Sequence, residues 1–161
     1  MIINNVTRLL DSHDVSYVAH ELPGEKLSAR EVSDYLGVPL GQVFKTIVVV
    51  RKRPGKPILA MVPGTADVDL KTLARTVGEK KLMLPSQKET ESITNLQVGG
   101  ISPLALINRG FQTVLDTSAH SFQSVYISGG QRGLNIQIPV IDLIRLTRAE
   151  AAIISINNSN L

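Results

Sequence analysis

Apolar residues recur along this chain in two periods, one helical and one alternating. Ile3, Val6, Leu9 and Leu10 follow helical spacing and predict an amphipathic helix over residues 3 to 13, with a strand-like run over 15 to 20 behind it. Pro23 and Gly24 then mark a turn. Ser28 followed by Glu31 fits a capping box, opening a helix that carries Val32, Tyr35 and Leu36 to a natural stop at Gly37. The apolar run over 43 to 50 is the strongest strand signal, and 57 to 62 is the second. Only Arg51 to Lys56 separates them, so the pair predicts an antiparallel hairpin.

Asp69 is placed to cap a helix through Leu70, Leu73, Ala74 and Val77 to Gly78, after which residues 80 to 83 suit a short strand. Ser86 and Glu89 repeat the capping box ahead of a polar helix over 87 to 94. Residues 99 to 103 form a loop, three short strands follow at 111–115, 123–128 and 134–138, and Pro139 starts a final helix through Leu146. The pattern totals about seven strands and about five helices in irregular alternation, which predicts an α/β (α+β) domain with a mixed sheet. No repeat or linker divides residues 1–161, so one domain is expected, with its core at about 5–147 and a tail over Asn157 to Asn160 that frays.

Composition narrows the chemistry. With 161 residues, 43% hydrophobic and 19% charged, the chain can build a core without a metal or disulfide staple. It has no cysteine, which removes disulfides, thiolate nucleophiles and cysteine-held metals. His13, His20 and His120 are its only histidines and lie near no carboxylate cluster, so neither a metal nor any other cofactor is expected. Aromatic residues are 4% of the chain, too few for a base-stacking platform. A formal charge of +3 permits an anionic partner without demanding one. The first ten residues lack a signal-peptide pattern, and no apolar run approaches the roughly 20 residues of a membrane span, so the expected compartment is the cytoplasm.

Conventional catalytic groups are scarce. No GxSxG elbow is present, and a triad of Ser128, His120 and Asp116 is the one nucleophilic grouping the composition allows. Asp67 and Asp69 read as the electrostatic complement of a helix N-terminus. The pairs Gly99-Gly100 and Gly129-Gly130 permit close approach of main-chain N–H groups to a ligand, and equally permit tight turns. Lys45 interrupts an apolar strand on the face shared by Val43 and Ile47, which places it either at a pocket mouth or snorkelling at a rim. Arg51, Lys52, Arg53 and Lys56 offer four cations at the hairpin tip, for phosphates or for solvent, and Lys80-Lys81 and Arg145/Arg148 pose the same choice.

Several ordered segments together resemble one family. These are the LLxxxxVxYxxH-like opening over 9–20, Val43-Phe44-Lys45-Thr46-Ile47-Val48-Val49, Val98-Gly99-Gly100-Ile101-Ser102-Pro103-Leu104, and Tyr126-Ile127-Ser128-Gly129-Gly130-Gln131-Arg132-Gly133-Leu134. They resemble the YbaK/EbsC family of free-standing aminoacyl-tRNA deacylases, relatives of the editing domain inserted in bacterial prolyl-tRNA synthetases. The resemblance implies a mixed, barrel-like sheet and removal of a small mischarged amino acid, foremost cysteine from tRNA(Pro) and then alanine or serine. Such editing is needed where a synthetase pocket cannot exclude a small residue by size.

The resemblance further implies a catalytic Lys45 with a glycine loop at Gly99 and Gly100. Substrate would be held by Thr46, Ile101, Ser102, Pro103, Ser128, Gly129 and Asn135, and tRNA by the hairpin cations. Partners would be the acceptor end of a mischarged tRNA and a prolyl-tRNA synthetase. In the cysteine-specific members the substrate's own thiol is thought to attack its ester, a lyase step in place of hydrolysis. Leu22, Ser28 and Asn135 stand where those members carry tyrosine, phenylalanine and aspartate. Two rival functions are a non-catalytic module binding a nucleotide or tRNA 3′ end, and a small-molecule hydrolase using Ser128 with His120.

Overall fold

The structure is a computed structural model and describes residues 1–158. Its five α-helices are α1 (Asn5–Ser12), α2 (Ala29–Leu36), α3 (Leu70–Val77), α4 (Gln87–Thr94) and α5 (Val140–Thr147). Each begins where the sequence supplies a start signal. Ser28 and Ser86 accept from the backbone of Glu31 and Glu89 in complete capping boxes, Asp69 accepts from Lys71 and Thr72, and Pro139 precedes α5. Asn4 caps α1 in the same way through Thr7.

Ten strands appear among the described residues: β1 (Val18–Glu21), β2 (Phe44–Arg51), β3 (Ile58–Pro63), β4 (Ala66–Val68), β5 (Leu82–Met83), β6 (Gln112–Asp116), β7 (Ser124–Ser128), β8 (Leu134–Pro139), β9 (Glu150–Ala152) and β10 (Ser155–Asn157). They form a five-stranded sheet in the order β5-β2-β3-β6-β9, a three-stranded sheet β1-β8-β7, and the pair β10-β4. β3 runs parallel to β6 and β6 parallel to β9, while every other pairing is antiparallel, so the main sheet is mixed as expected.

Three expectations need correction. The sheets do not close into a barrel, and the strands number ten rather than seven, because β4, β9 and β10 have three residues each and none carries an alternating pattern long enough to read. The core also extends past residue 147. Ile154 is fully buried, its N–H is bonded to Asp116, and Asn157 pairs with Ala66 in β10, so that part of the tail is structured. Asn158 donates to Asp67 and to the carbonyl of Thr65, and the rest of the expected frayed tail lies outside the described residues.

β3 is buried along its length and feeds all three apolar clusters. Ile58, Ala60 and Val62 face α3 with Val49 and Leu73, whereas Leu59 faces Val48, Ile101 and Leu106. Strands covered on both faces read as continuous apolar runs, which explains the unbroken 57–62 segment. The inner face of β7 and β8, with Val125, Ile127, Ile136 and Ile138, packs on α1 and α5. A parallel bridge from Val43 to Tyr126 joins the two larger sheets, and the mouth of the molecule opens at that seam.

Candidate active site

A cleft of about 860 Å³ lies at this seam. Its floor comes from Val43 and residues 44 to 48 of β2, its sides from Ser128 and residues 133–135, and its rim from the β1–α2 loop, the residues after β5, and the 98–101 loop. The volume falls within the roughly 300–1,000 Å³ of small-ligand pockets. Leu22, Leu27, Val32, Val43, Leu84 and Ile101 give it an apolar wall, and Lys26 donates to Gln87 at 3.2 Å to link two segments of its rim.

Lys45 lines the cleft with its side chain 27% exposed. Its ammonium donates to the carbonyl of Ala66 at 2.6 Å and lies 3.4 Å from Asp67 Oδ1. An ammonium carries three donors, so β4 holds two and leaves one for a ligand. The earlier reading of Asp67 as a helix-terminus charge is therefore revised: Asp69 alone caps α3, and Asp67 anchors Lys45 from β4. A single parallel bridge joins Val43 to Tyr126, Ser128 pairs directly with Asn135, and Lys45, Ser128 and Asn135 all line the cleft.

Among the described residues, two polar atoms here have no hydrogen-bond partner: Thr46 Oγ1 and Asn135 Oδ1 are buried without one, and both residues line the cleft. A buried unpaired polar atom costs about 1–3 kcal/mol, so its retention in a cleft points to a ligand that satisfies it.

The glycine loops divide between ligand and packing. A Cβ at Gly100 would stand 2.8 Å from Gln131 Cα, and one at Gly129 would stand 2.4 Å from Leu134 Cγ; these two glycines let neighbouring chain segments meet. Arg132 Nε locks the same loops together by donating to the carbonyl of Val98 at 2.9 Å. Gly100 N–H donates to Gln97, while among the described residues no protein acceptor takes the N–H of Gly99 or Ile101. Gly99 and Ile101 line the cleft; Gly100, Ser102, Pro103 and Gly129 lie behind it, and Ser102 is wholly buried with its hydroxyl accepting from Leu104 N–H.

The remaining expected residues sit elsewhere. Arg51 and Arg53 are held by Glu79, and the hairpin tip lies about 20 Å along β2 from Lys45 at a strand rise of about 3.3 Å. Lys52 and Lys56 are exposed at that tip. Arg53 first and Arg51 second hold the Glu79 carboxyl below its ordinary range. The triad of Ser128, His120 and Asp116 is not assembled: His120 and Ser128 are at opposite ends of β7, and Asp116 accepts from Ser118 and from Ile154 N–H. His20 rests against the Tyr126 ring with centroids 5.8 Å apart, and His13 ends α1. Lys26, Leu84 and Gln87 were not expected at the site, since the β1–α2 loop, the segment after β5 and the first turn of α4 bring them to the rim and no local motif marks them.

The fold and cleft define a mixed α/β domain whose open site holds a tethered lysine, Lys45, together with neutral polar side chains and the backbone of a glycine loop. The description "Aminoacyl-tRNA editing domain" matches residues 24–146, and the chain belongs to that family. It is 33% identical over 150 residues to the "Putative Cys-tRNA(Pro)/Cys-tRNA(Cys) deacylase EbsC" of Enterococcus faecalis, covering 92% of this chain and 90% of that protein. It is 31% identical over 108 residues to a proline–tRNA ligase of Thermodesulfovibrio yellowstonii, covering 67% of this chain but 18% of the ligase. A solved structure described as "a putative trans-editing enzyme for prolyl tRNA synthetase" superposes with a TM-score of 0.80 at 24% identity, covering 98% of this chain and all of that one.

Proposed function

We propose that the protein is a trans-acting aminoacyl-tRNA deacylase that removes a small mischarged amino acid, with Cys-tRNA(Pro) as its foremost substrate. The observation that carries this reading is the tethered Lys45 in a cleft also lined by Gly99 and Ile101, whose N–H groups meet no acceptor among the described residues. Ester cleavage places negative charge on the carbonyl oxygen in the transition state. Fixed N–H donors at that point lower the barrier, each by about 3 kcal/mol. The spare Lys45 proton would face the terminal adenosine or the ester, and Thr46 and Asn135 would accept from donors of the aminoacyl end, including its ammonium.

Since the chain has no cysteine, a sulfur nucleophile can come only from the substrate. In that case the cysteine thiol attacks its own carbonyl, a carbon–sulfur bond forms, the carbon–oxygen bond to the ribose breaks, and the thiol proton passes to the ribose oxygen. The products are a thiolactone and free tRNA. With alanine or serine, water replaces the thiol and the step is hydrolysis.

The reading is tested by incubating the protein with tRNA(Pro) charged with cysteine, alanine or serine and following loss of the ester. Turnover of at least one, with cysteine fastest, is expected. No turnover of any at high protein concentration would overturn it, and saturable binding without cleavage would favour a non-catalytic module for the tRNA 3′ end. The coupling to a prolyl-tRNA synthetase is part of the same proposal, supported by the likeness to part of a proline–tRNA ligase.

A further inference from the structure

A second concavity of about 460 Å³ opens on the other side of β5, between α3 and the 79–82 segment. Lys71, Arg75, Lys80 and Lys81 line it, all exposed, and its one carboxylate is Glu79. That carboxylate is already taken by Arg51 and Arg53, so it neutralises none of the four. Among the described residues no carboxylate lies within ion-pair distance of the groove cations. Glu79 also draws the hairpin against the groove. The four groove cations and the four of the hairpin are eight of the 17 Lys and Arg in a chain whose net charge is +3. Nearly half of the Lys and Arg residues are therefore in the groove and in the hairpin that Glu79 ties to it.

The groove and the cleft adjoin along the chain: Leu82 lines the groove, and Leu84 and Pro85 line the cleft, a step of about 7 Å along an extended chain. We infer that the groove formed by Lys71, Arg75, Lys80 and Lys81 binds the phosphate backbone of the RNA whose 3′ end occupies the cleft. The inference rests on the deacylase reading for the identity of the polyanion. An RNA end held in the cleft must carry its phosphates out past the rim, and the groove is the cationic surface next along the chain. Its lining has no aromatic residue on which a base could stack, and its four cations suit phosphate contacts that position the RNA. A backbone site of this kind positions its ligand and makes affinity fall with salt.

The test is binding of an uncharged tRNA transcript, followed by fluorescence anisotropy across a salt series. A protein carrying Lys71→Ala, Arg75→Ala, Lys80→Ala and Lys81→Ala should bind at least tenfold more weakly. The slope of log K against log salt should become shallower by about 3, from 0.7–0.9 per phosphate contact. Lys80→Glu alone is a second variant, with the same direction and a smaller effect, and Arg8→Ala on α1 is the control expected to change nothing. Thermal unfolding of each variant verifies that it is folded. Unchanged affinity and slope in the quadruple variant would overturn the inference. So would competition by poly-glutamate at equal charge concentration as strong as that of unlabelled tRNA, which would assign the groove to acidic polypeptides. Because the readout needs no turnover, a protein that holds tRNA through the groove but cleaves no aminoacyl ester keeps this inference and loses the deacylase reading.

Discussion

A lysine on an apolar strand must find partners for three protons, and Lys45 finds two on β4. The Asp67 partner is 58% exposed, so the ion pair itself stabilises by no more than about 1 kcal/mol, and its effect lies in aiming the ammonium. Asp67→Asn is expected to leave the melting temperature nearly unchanged and to lower deacylation several-fold; equal rates for the two proteins would show that Ala66 alone orients the lysine. Thr46 gives a sharper test, because its hydroxyl has no partner among the described residues. Thr46→Val should hold or raise stability, by up to about 1 kcal/mol, while raising KM for aminoacyl-tRNA several-fold. A stability loss instead would mean that the hydroxyl bonds within the fold. At this scale the sequence revealed Lys45 by its misfit with its neighbours, but not the different uses of adjacent glycines. Gly99 and Gly100 look alike in the chain, and only the approach of Gln131 distinguishes them.

The helices were legible because their signals are local. Two capping boxes, a capping aspartate and glycine stops at 37 and 78 each act within one turn of the chain they shape. β9 was not legible, since Glu150, Ala151 and Ala152 have little strand preference and become a strand only by lying beside Val114 to Asp116. Elements are also joined by charge: Glu79, after α3, bonds both Arg51 on β2 and Arg53 in the hairpin. Its lowered pKa means that it stabilises the fold above its unfolded value near 4.5, and that this contribution fades as pH falls through the lower folded value. Glu79→Gln should therefore melt below wild type at pH 7, and the gap should close as the pH is taken well below 4.5. A gap that stayed constant with pH would assign the loss to packing.

At the scale of the whole molecule, the cleft exists because two sheets meet at one bridge and then diverge. Residues from β2, β7, β8 and three loops converge there, and the sequence could supply the members of that set but not their arrangement. Seven of the ten strands and all five helices were readable from local pattern, whereas the barrel-like closure that the family resemblance implied does not occur, and the pairing of distant strands leaves no trace in local period by which to correct it. The resulting site has no chain thiol and no assembled triad, so the account makes deacylation a matter of positioning by backbone donors and one lysine. The most direct test is the single-turnover rate of ester loss from Cys-tRNA(Pro) by wild-type protein and by Lys45→Ala, with both shown folded by thermal unfolding. The account predicts rapid loss with wild type and a rate lower by about 10²-fold or more in the variant. Equal rates, or no loss with either, would contradict it.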